Sequence, residues 1–410
     1  MARKTAEPND ARGHWHRDPL LWPFAGAKLM LDACGWWLGD DMGSVARSPA
    51  TELDWTTPQR IALQLATMRL RDFSTEAGGN PVLVCAPYAL HGALIADFAP
   101  EHSLVEALLR EGLGRVYVTD WRSADAGMRY LTIDNYLSDL NVAIDEIGSP
   151  VDLVGLCQGG WLALVFAARF PKKVRRLVLA GAPVDVSVPS PISQSVSALL
   201  PEAFESMVGA TGLVSGRNLR DTWAHQPSWQ DALQRDLAEE SDTGRRLLER
   251  FEAWNDATLD LPGAYYLEVV NAIFRENRIA AGQFLALGHR INLRDVAVPV
   301  YLLAGANDEI VPPAQAFATA SLLRTPADLI ETACEPCGHL GLFMGRNTIA
   351  SAWRRIAHWL ALPSPQRVTC AEAGAESSSM PVKPAPVISR PPAEAADRSG
   401  GRLPAAVPPR

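Results

Sequence analysis

A cysteine between two glycines is the clearest chemical feature of the sequence, in the run Gly155-Leu156-Cys157-Gln158-Gly159. The run lies between a predicted strand, Val151 to Gly155, and a predicted helix, Gln158 to Phe170. A nucleophile held in such a strand-to-helix turn needs glycine two positions before and after it, because the crossing helix and the neighbouring strand leave no space for a Cβ atom. The positive end of the helix then lies beneath the thiol and favours the thiolate. We therefore expect Cys157 to be the nucleophile of an acyl-transfer reaction.

Two residues that could complete a catalytic triad follow predicted strands further along the chain. Asp308 comes after the strand Val298 to Ala304, and His339 comes after the strand Leu329 to Thr332. Enzymes that hold a nucleophile in this kind of turn present nucleophile, acid and histidine in that chain order. We expect His339 to accept the thiol proton and later to activate an alcohol or water, while Asp308 fixes its tautomer and stabilises the imidazolium.

Each of these residue types also has a purely structural interpretation. An aspartate after a strand is often a turn former, and a cysteine is often a small buried hydrophobic residue. We retain the structural interpretation for Cys34, Cys85 and Cys370. Cys334 and Cys337 form a C-x-x-C motif, but without a second pair or adjacent histidines the motif does not indicate zinc, and no metal site is predicted.

The oxyanion hole of such an enzyme pairs the amide after the nucleophile with an amide from the loop after an earlier strand. The first amide is that of Gln158, and the second loop is Ala86-Pro87-Tyr88-Ala89, in which we expect Tyr88 to be the donor. The alternative is that this loop is only a connection. His91 and His102 follow the same strand and are candidate substrate contacts.

Short β-branched runs alternate with amphipathic helical periods through the middle of the chain. The predicted strands are Pro81–Cys85, Arg115–Thr119, Val151–Gly155, Val174–Ala180 and Val298–Ala304. Because this alternation implies a parallel sheet covered on both faces, the predicted fold class is α/β. With the cysteine turn, it indicates the α/β-hydrolase fold, a mostly parallel sheet flanked by helices.

Composition divides the chain into three predicted regions. Residues 1–75 are expected to form an N-terminal helical segment, and residues 76–362 an α/β-hydrolase domain. Within that domain, residues from about 186 to 290 break the strand rhythm with helical stretches, which indicates an inserted helical lid above the strand ends. Residues 363–410 are rich in Pro and Ala, and we expect this tail to be disordered because it cannot bury enough apolar surface.

The overall charge and the cysteine count exclude some classes of function. The chain has 410 residues, a formal net charge of −8 and no dense basic stripe, so a nucleic-acid partner is not expected. Its six cysteines are too few for a disulfide scaffold and fit a reducing compartment. The first residues lack the apolar region of a signal peptide, and no membrane span is predicted. We expect a cytoplasmic protein.

Together, the motifs from about Pro81 to Leu360 resemble the polyhydroxyalkanoate synthases and, more distantly, the intracellular polyhydroxyalkanoate depolymerases. The synthase-like runs are Pro100–Val105, Val118–Arg122 with Asp134–Tyr136, Gly155–Gly160, Glu276–Arg278, and Ile291–Leu293 leading to Val298–Tyr301. The resemblance assigns the family's catalytic cysteine, aspartate and histidine to Cys157, Asp308 and His339. Two features differ: Glu309 follows the aspartate where those synthases have histidine, and the run from Gly338 to Gly345 is more similar to the depolymerases.

The resemblance leaves three functions open. The first is a polyhydroxyalkanoate synthase-like acyltransferase, which forms a Cys157 thioester from a hydroxyacyl-coenzyme A and transfers the acyl group to a hydroxyl chain end. The second is a cysteine hydrolase, either a polyhydroxyalkanoate depolymerase or an acyl thioesterase. The third is an inactive protein that binds polymer granules through residues 20–38 and the tail. No bound cofactor is expected, since coenzyme A enters as part of the substrate. A homodimer, a second subunit or a polymer granule are the partners that the resemblance suggests.

Overall fold

An eight-stranded sheet forms the centre of the structure, a computed structural model that describes residues 53–223 and 242–363. Its strands are β1 (Arg60–Gln64), β2 (Met68–Asp72), β3 (Val82–Cys85), β4 (Val116–Trp121), β5 (Val151–Leu156), β6 (Val174–Ala180), β7 (Val300–Gly305) and β8 (Ile330–Glu335). Their spatial order is β1-β2-β4-β3-β5-β6-β7-β8. The pairs β1–β2 and β2–β4 are antiparallel, and the other pairs are parallel.

Helices cover the sheet and bury its central strands on both faces. They are α1 (Leu104–Arg110), α2 (Ile133–Ile147), α3 (Gln158–Arg169), α4 (Pro191–Ala198), α5 (Pro201–Glu205), α6 (Gly216–Trp223), α7 (Asp242–Asp256), α8 (Gly263–Glu268), α9 (Pro313–Leu322), α10 (Gly341–Met344), α11 (Arg346–Thr348) and α12 (Arg354–Ala361). π-Helical turns extend α8 over Val269–Arg275 and precede α12 over Ile349–Trp353. Every residue of β3 and β5 is buried, as expected for parallel strands with helices on both sides. The architecture is the predicted α/β-hydrolase fold.

The predicted element bounds hold closely where hydrophobic periodicity is strong. Strand β6 matches the predicted residues at both ends, and helix α3 begins at the predicted Gln158 and ends one residue before the predicted Phe170. Helix α2 begins at a capping box in which Thr132 and Asn135 exchange hydrogen bonds, and its buried face repeats every three to four residues. Because β5, β6, β7 and β8 run parallel, the carboxyl ends of β5, β7 and β8 lie at one edge of the sheet, as the placement of the predicted triad requires.

The predicted N-terminal helical segment, residues 1–75, is wrong over the part that the structure describes. Residues 60–72 form β1 and β2, which extend the sheet beside β4. In β2, Met68, Leu70 and Asp72 are buried, and β4 is hydrogen-bonded to the strand on one side. The domain therefore begins before residue 76. Residues 1–52, including the run 20–38, lie outside the described residues.

The predicted lid, residues 186–290, is mostly helical where it is described, and we call it the insert. Besides α4 to α8, it contains two short antiparallel pairs, Leu213–Val214 with Leu261–Pro262 and Leu285–Ala286 with His289–Arg290. The insert contacts the loops that follow β3 and β4: Leu259 N donates to Leu90 O at 2.8 Å, and Asp260 N donates to Ser123 Oγ at 2.9 Å. It therefore lies against the edge of the sheet that carries the predicted site.

Arg176 on β6 holds the end of the last helix against the opposite edge of the sheet. Its buried guanidinium donates to the carbonyl oxygens of Trp359, Leu360, Leu362 and Pro363 at 2.6 to 2.8 Å.

The tail that we expect to be disordered lies, from residue 364 onward, outside the described residues. Within the described ranges, no helix is long and apolar enough to cross a membrane.

Candidate active site

Cys157 lies at the tip of the turn between β5 and α3, in a backbone conformation that non-glycine residues rarely adopt. Its φ is +49° and its ψ is −120°. The turn is held because Cys157 N donates to Ala180 O at the end of β6, at 2.9 Å, and Cys157 O accepts from Gly160 N at 2.9 Å. Such a strained conformation persists only where the surroundings fix it, and it directs the side chain away from the sheet.

The glycines around Cys157 are required by close contacts between the turn and its neighbours. A Cβ atom on Gly155 would lie 2.5 Å from Gly160 Cα, and one on Gly159 would overlap the carbonyl oxygen of Cys85 and lie 2.7 Å from that of Ala86. These contacts agree with the steric argument made from the sequence, because neither glycine position has space for a Cβ atom. The same contacts bring the carboxyl end of β3 against the first turn of α3.

Asp308 and His339 are in direct contact. His339 Nδ1 lies 2.7 Å from Asp308 Oδ2, and both side chains are buried. The other carboxylate oxygen of Asp308 accepts from the backbone amides of Ile310 and Val311, each at 2.9 Å. Asp308 is therefore both a turn former and the partner of His339, and the turn fixes the carboxylate that orients the imidazole.

The other side of the His339 ring faces the cysteine turn. Gly181 directly follows Ala180, whose carbonyl oxygen accepts the hydrogen bond from Cys157 N. A Cβ atom on Gly181 would lie 3.1 Å from His339 Cε1. Phe343 packs against the imidazole edge-to-face, with ring centroids 5.3 Å apart. His339 Nε2 is buried and has no hydrogen-bond partner of normal geometry among the described residues. The nitrogen that would exchange a proton with the thiol is therefore available for it.

The charge of His339 is set by two opposing effects. Burial alone would lower the pKa of the imidazole, but the carboxylate of Asp308, by its charge and its hydrogen bond, and the nearby sulfur of Cys157, by its charge, raise it. The net result is a pKa of His339 well above its ordinary value. This favours the imidazolium, the protonation state in which the histidine can pair with a thiolate.

The loop after β3 has two backbone amides that could face a developing oxyanion. Ala86 N already donates to Thr119 Oγ1 at 3.0 Å, and Pro87 has no N–H group. The amides of Tyr88 and Ala89 remain, which agrees with the expectation for Tyr88 but does not select between the two. Gln158 is the first residue of α3, so its amide has no acceptor within the helix.

The other candidate residues have structural surroundings. His102 is buried, and its Nδ1 lies 2.7 Å from the carbonyl oxygen of Met344, so it links the segment before α1 to the end of α10 and has a structural partner. His91 stacks on Trp254 of α7, with ring centroids 4.3 Å apart. Burial first, and then the charge of Arg220, lowers the pKa of His91 to about 3. Burial raises the pKa of Cys85 to about 12, as expected for an inert core thiol.

Sequence reasoning missed residues that support the site without belonging to the predicted triad. Gly181 and Phe343 hold the His339 ring, and Tyr265 in the insert contacts the backbone of Tyr88. Glycine directly after a buried strand was an available signal for Gly181. No pattern in the sequence links Tyr265 to Tyr88, because the two lie 177 residues apart.

Comparisons with known proteins find relatives that are named poly(3-hydroxyalkanoate) polymerase subunits. Residues 191–361 match the family model "PHB de-polymerase C-terminus". The poly(3-hydroxyalkanoate) polymerase subunit PhaC of Synechocystis sp. is 30% identical over 295 residues, which cover 68% of this chain and 78% of that protein. The subunit PhaC of Allochromatium vinosum is 28% identical, over 68% of this chain and 81% of that protein.

Among solved structures, Rv0554 from Mycobacterium tuberculosis is 20% identical, over 74% of this chain and 97% of that one, with a TM-score of 0.49. The match to the Synechocystis protein is the more informative, since its 30% identity is the higher and it still spans most of both chains. The chain belongs to the PhaC family of poly(3-hydroxyalkanoate) polymerase subunits.

Proposed function

We propose that the protein is a polyhydroxyalkanoate synthase-like acyltransferase that carries the growing or incoming acyl group on Cys157. The observation that supports this most strongly is a cysteine at the tip of the strained turn, facing a buried His339 that is paired with Asp308. Sulfur suits the reaction because a cysteine thioester is close in free energy to a coenzyme A thioester. Loading is therefore nearly balanced, and the acyl-enzyme stays reactive toward a hydroxyl group.

In the loading step, the Cys157 thiolate attacks the thioester carbonyl of a hydroxyacyl-coenzyme A. The carbonyl oxygen becomes an oxyanion, which the Gln158 amide and an amide of Tyr88 or Ala89 stabilise by hydrogen bonds. The carbon–sulfur bond to coenzyme A breaks, and the proton on His339 passes to the leaving thiolate. The raised pKa of His339 supports this step, because the imidazolium is the proton donor.

In the transfer step, neutral His339 removes the proton from a hydroxyl group at a chain end. The alkoxide attacks the acyl group on Cys157, and the same amides stabilise the second oxyanion. An ester bond forms, the Cys157 thiolate leaves, and the imidazolium is restored. Asp308 keeps Nδ1 protonated through both steps, so that Nε2 is the atom that exchanges the proton.

A second candidate is hydrolysis by the same triad, because water can replace the chain-end hydroxyl in the second step. The match of residues 191–361 to the depolymerase family model favours it. So does the run from Gly338 to Gly345, which is similar to the depolymerases. The third candidate, an inactive granule-binding protein, depends on residues 20–38 and the tail, which lie outside the described residues. Cytoplasmic location and association with a granule, a second copy or a second subunit stay proposals.

Product analysis with 3-hydroxybutyryl-coenzyme A separates the three candidates. The wild-type protein and the Cys157→Ala variant are incubated with the thioester, and released coenzyme A, free acid and polymer are measured. We expect coenzyme A and polymer from the wild type and neither from the variant. Coenzyme A with free acid would select the hydrolase, and no release from the wild type would select the inactive protein. Release that persists in the variant would contradict the assignment of the nucleophile.

A further inference from the structure

The loop that would supply the second oxyanion donor is attached to the insert as well as to the core. Leu259 N donates to Leu90 O at 2.8 Å, and Thr258 forms an antiparallel β-bridge with His91. These contacts add a short extended segment of the insert to the loop that follows β3. Any displacement of this segment would therefore move the loop with it.

Tyr88 is held by the insert on two sides. Its hydroxyl donates to Asp260 O at 3.4 Å, and its carbonyl oxygen accepts from the Tyr265 hydroxyl, also at 3.4 Å. The two tyrosine rings are buried and pack with centroids 5.2 Å apart. Asp260 is itself fixed to the core, because its amide donates to Ser123 Oγ and its carbonyl accepts from Ala124 N, each at 2.9 Å.

The carbonyl oxygen of Tyr88 shares a peptide plane with the amide of Ala89. A hydrogen bond to that oxygen fixes the plane and therefore the direction of the Ala89 N–H group, and it restricts the rotation of Tyr88 that would redirect its own amide. One hydroxyl on the insert thus controls the orientation of both amides that remain available in this loop. A small misalignment of an oxyanion donor is costly, since its hydrogen bond matters only at the position that the oxyanion occupies.

We propose that Tyr265 is a positioning residue for the oxyanion hole. It touches no reacting atom and acts through the backbone of Tyr88, so the hole is complete only while the insert is docked on the loop after β3. This inference rests on the proposed function, because it takes that loop as part of the oxyanion hole. It couples acyl transfer at Cys157 to the docked state of the insert, the state in which the insert covers this edge of the sheet.

The test compares Tyr265→Phe with Tyr266→Phe. The first variant removes the hydroxyl that donates to Tyr88 and keeps the ring that packs on it. The second removes the hydroxyl of the next residue in the same helix, which is also buried and for which no hydrogen bond to the oxyanion loop is found among the described residues. Both variants keep their aromatic ring, so thermal unfolding is expected to change little and equally in the two.

Two reagents that attack Cys157 by different chemistry separate positioning from structural damage. p-Nitrophenyl acetate acetylates the thiolate through a tetrahedral oxyanion and releases p-nitrophenolate, whereas iodoacetamide alkylates it by displacing iodide from a saturated carbon, without an oxyanion. The rates of both reactions are measured in single-turnover experiments, with Cys157→Ala as the blank. Only the first rate depends on the oxyanion hole.

We expect Tyr265→Phe to slow acetylation about tenfold and to leave alkylation within about twofold of the wild type, since a tenfold loss is well below that for removing a donor outright. Tyr266→Phe should leave both rates within about twofold. Equal losses in both rates for Tyr265→Phe, no loss in either, or no acetylation of the wild type would each overturn the proposal. Coenzyme A release from 3-hydroxybutyryl-coenzyme A is measured in parallel, and a wild type that is acetylated but releases none contradicts the proposed function alone.

Discussion

At the scale of single residues, the site depends on charges that are held out of water. Asp308 and His339 are buried and in contact, and the carboxylate is the main cause that raises the pKa of the imidazole against the effect of burial. A group with a raised pKa in the folded state stabilises that state below its unfolded pKa, and this contribution is lost as the pH rises through the folded value. The ion pair that we propose to act in catalysis therefore also contributes to the stability of the folded state.

Removing the charge of Asp308 tests this pair. In Asp308→Asn we expect coenzyme A release to fall on the order of a thousandfold or more, because the histidine loses both its oriented tautomer and the charge that stabilises its imidazolium. The pKa of His339, followed by proton or nitrogen NMR, should fall relative to the wild type. Asp328→Asn, at an exposed position just before the amino end of β8, is the control. An unchanged pKa of His339 in Asp308→Asn would contradict the assignment.

His91 gives a prediction of opposite sign. Its pKa is lowered to about 3 in the folded protein, and neither ring nitrogen has a hydrogen-bond partner among the described residues. Below the ordinary histidine value of about 6.5 the unfolded chain binds a proton that the folded chain does not, so the free energy of unfolding should fall by about 2 kcal/mol between pH 7 and pH 5 on account of this residue. In His91→Phe this part of the pH dependence should disappear in urea unfolding, whereas exposed His289→Gln should keep it. The same slope in both variants would refute the prediction.

At the scale of elements, the nucleophile turn was predictable because its constraints are local. The strand β5, the glycines and the helix α3 all lie within twenty residues, and each follows from periodicity or from steric limits that the sequence displays. The strands β1 and β2 were missed because β1 is almost entirely exposed and β2 carries three charged residues among its five, so neither shows the apolar run that marks the other strands. The contact of Tyr265 with Tyr88 could not be predicted, since it depends on how the insert folds back over the sheet.

The close packing around the turn can be tested with an added methyl group. In Gly159→Ala the new Cβ would overlap the carbonyl oxygen of Cys85, so we expect the free energy of unfolding to fall by about 3 kcal/mol and coenzyme A release to be lost. Gly78→Ala is the matched control, because no atom lies within 4 Å of its added Cβ. Urea unfolding of the two variants measures the difference. A Gly159→Ala variant as stable and as active as the wild type would show that the turn is not packed as described.

At the scale of the whole molecule, the two edges of the sheet have different tasks. The carboxyl edge carries Cys157, Asp308 and His339 under the insert, and the amino edge carries Arg176, which holds the last helix. Sequence reasoning assigned the three predicted triad residues to the ends of successive strands, because the residues of such a triad follow one another in a recognisable order. It did not identify the arginine, because the carbonyl groups that it binds lie more than 180 residues away and carry no residue-type signal.

Stability and activity should therefore separate in Arg176→Met. The substitution leaves the carbonyl groups of Trp359 and Pro363 without their charged donor, whereas those of Leu360 and Leu362 keep Arg175, and we expect the free energy of unfolding to fall by about 2 to 3 kcal/mol. Coenzyme A release at 20 °C should stay within about twofold of the wild type, because the site lies at the other edge. The control is Arg294→Met, which also removes a guanidinium that donates to carbonyl groups, but one that is exposed. Loss of activity without loss of stability would contradict this division.

Covalent acyl transfer through Cys157 is the claim on which the other proposals depend, and trapping the acyl-enzyme tests it most directly. The protein is mixed with 3-hydroxybutyryl-coenzyme A, quenched in acid and digested, and the peptide containing Cys157 is examined by mass spectrometry. We predict a hydroxybutyryl thioester on Cys157 that forms at the rate of coenzyme A release and is absent from Cys157→Ala. Coenzyme A release from the wild type without acylation of Cys157, or with the acyl group on another residue, would contradict it.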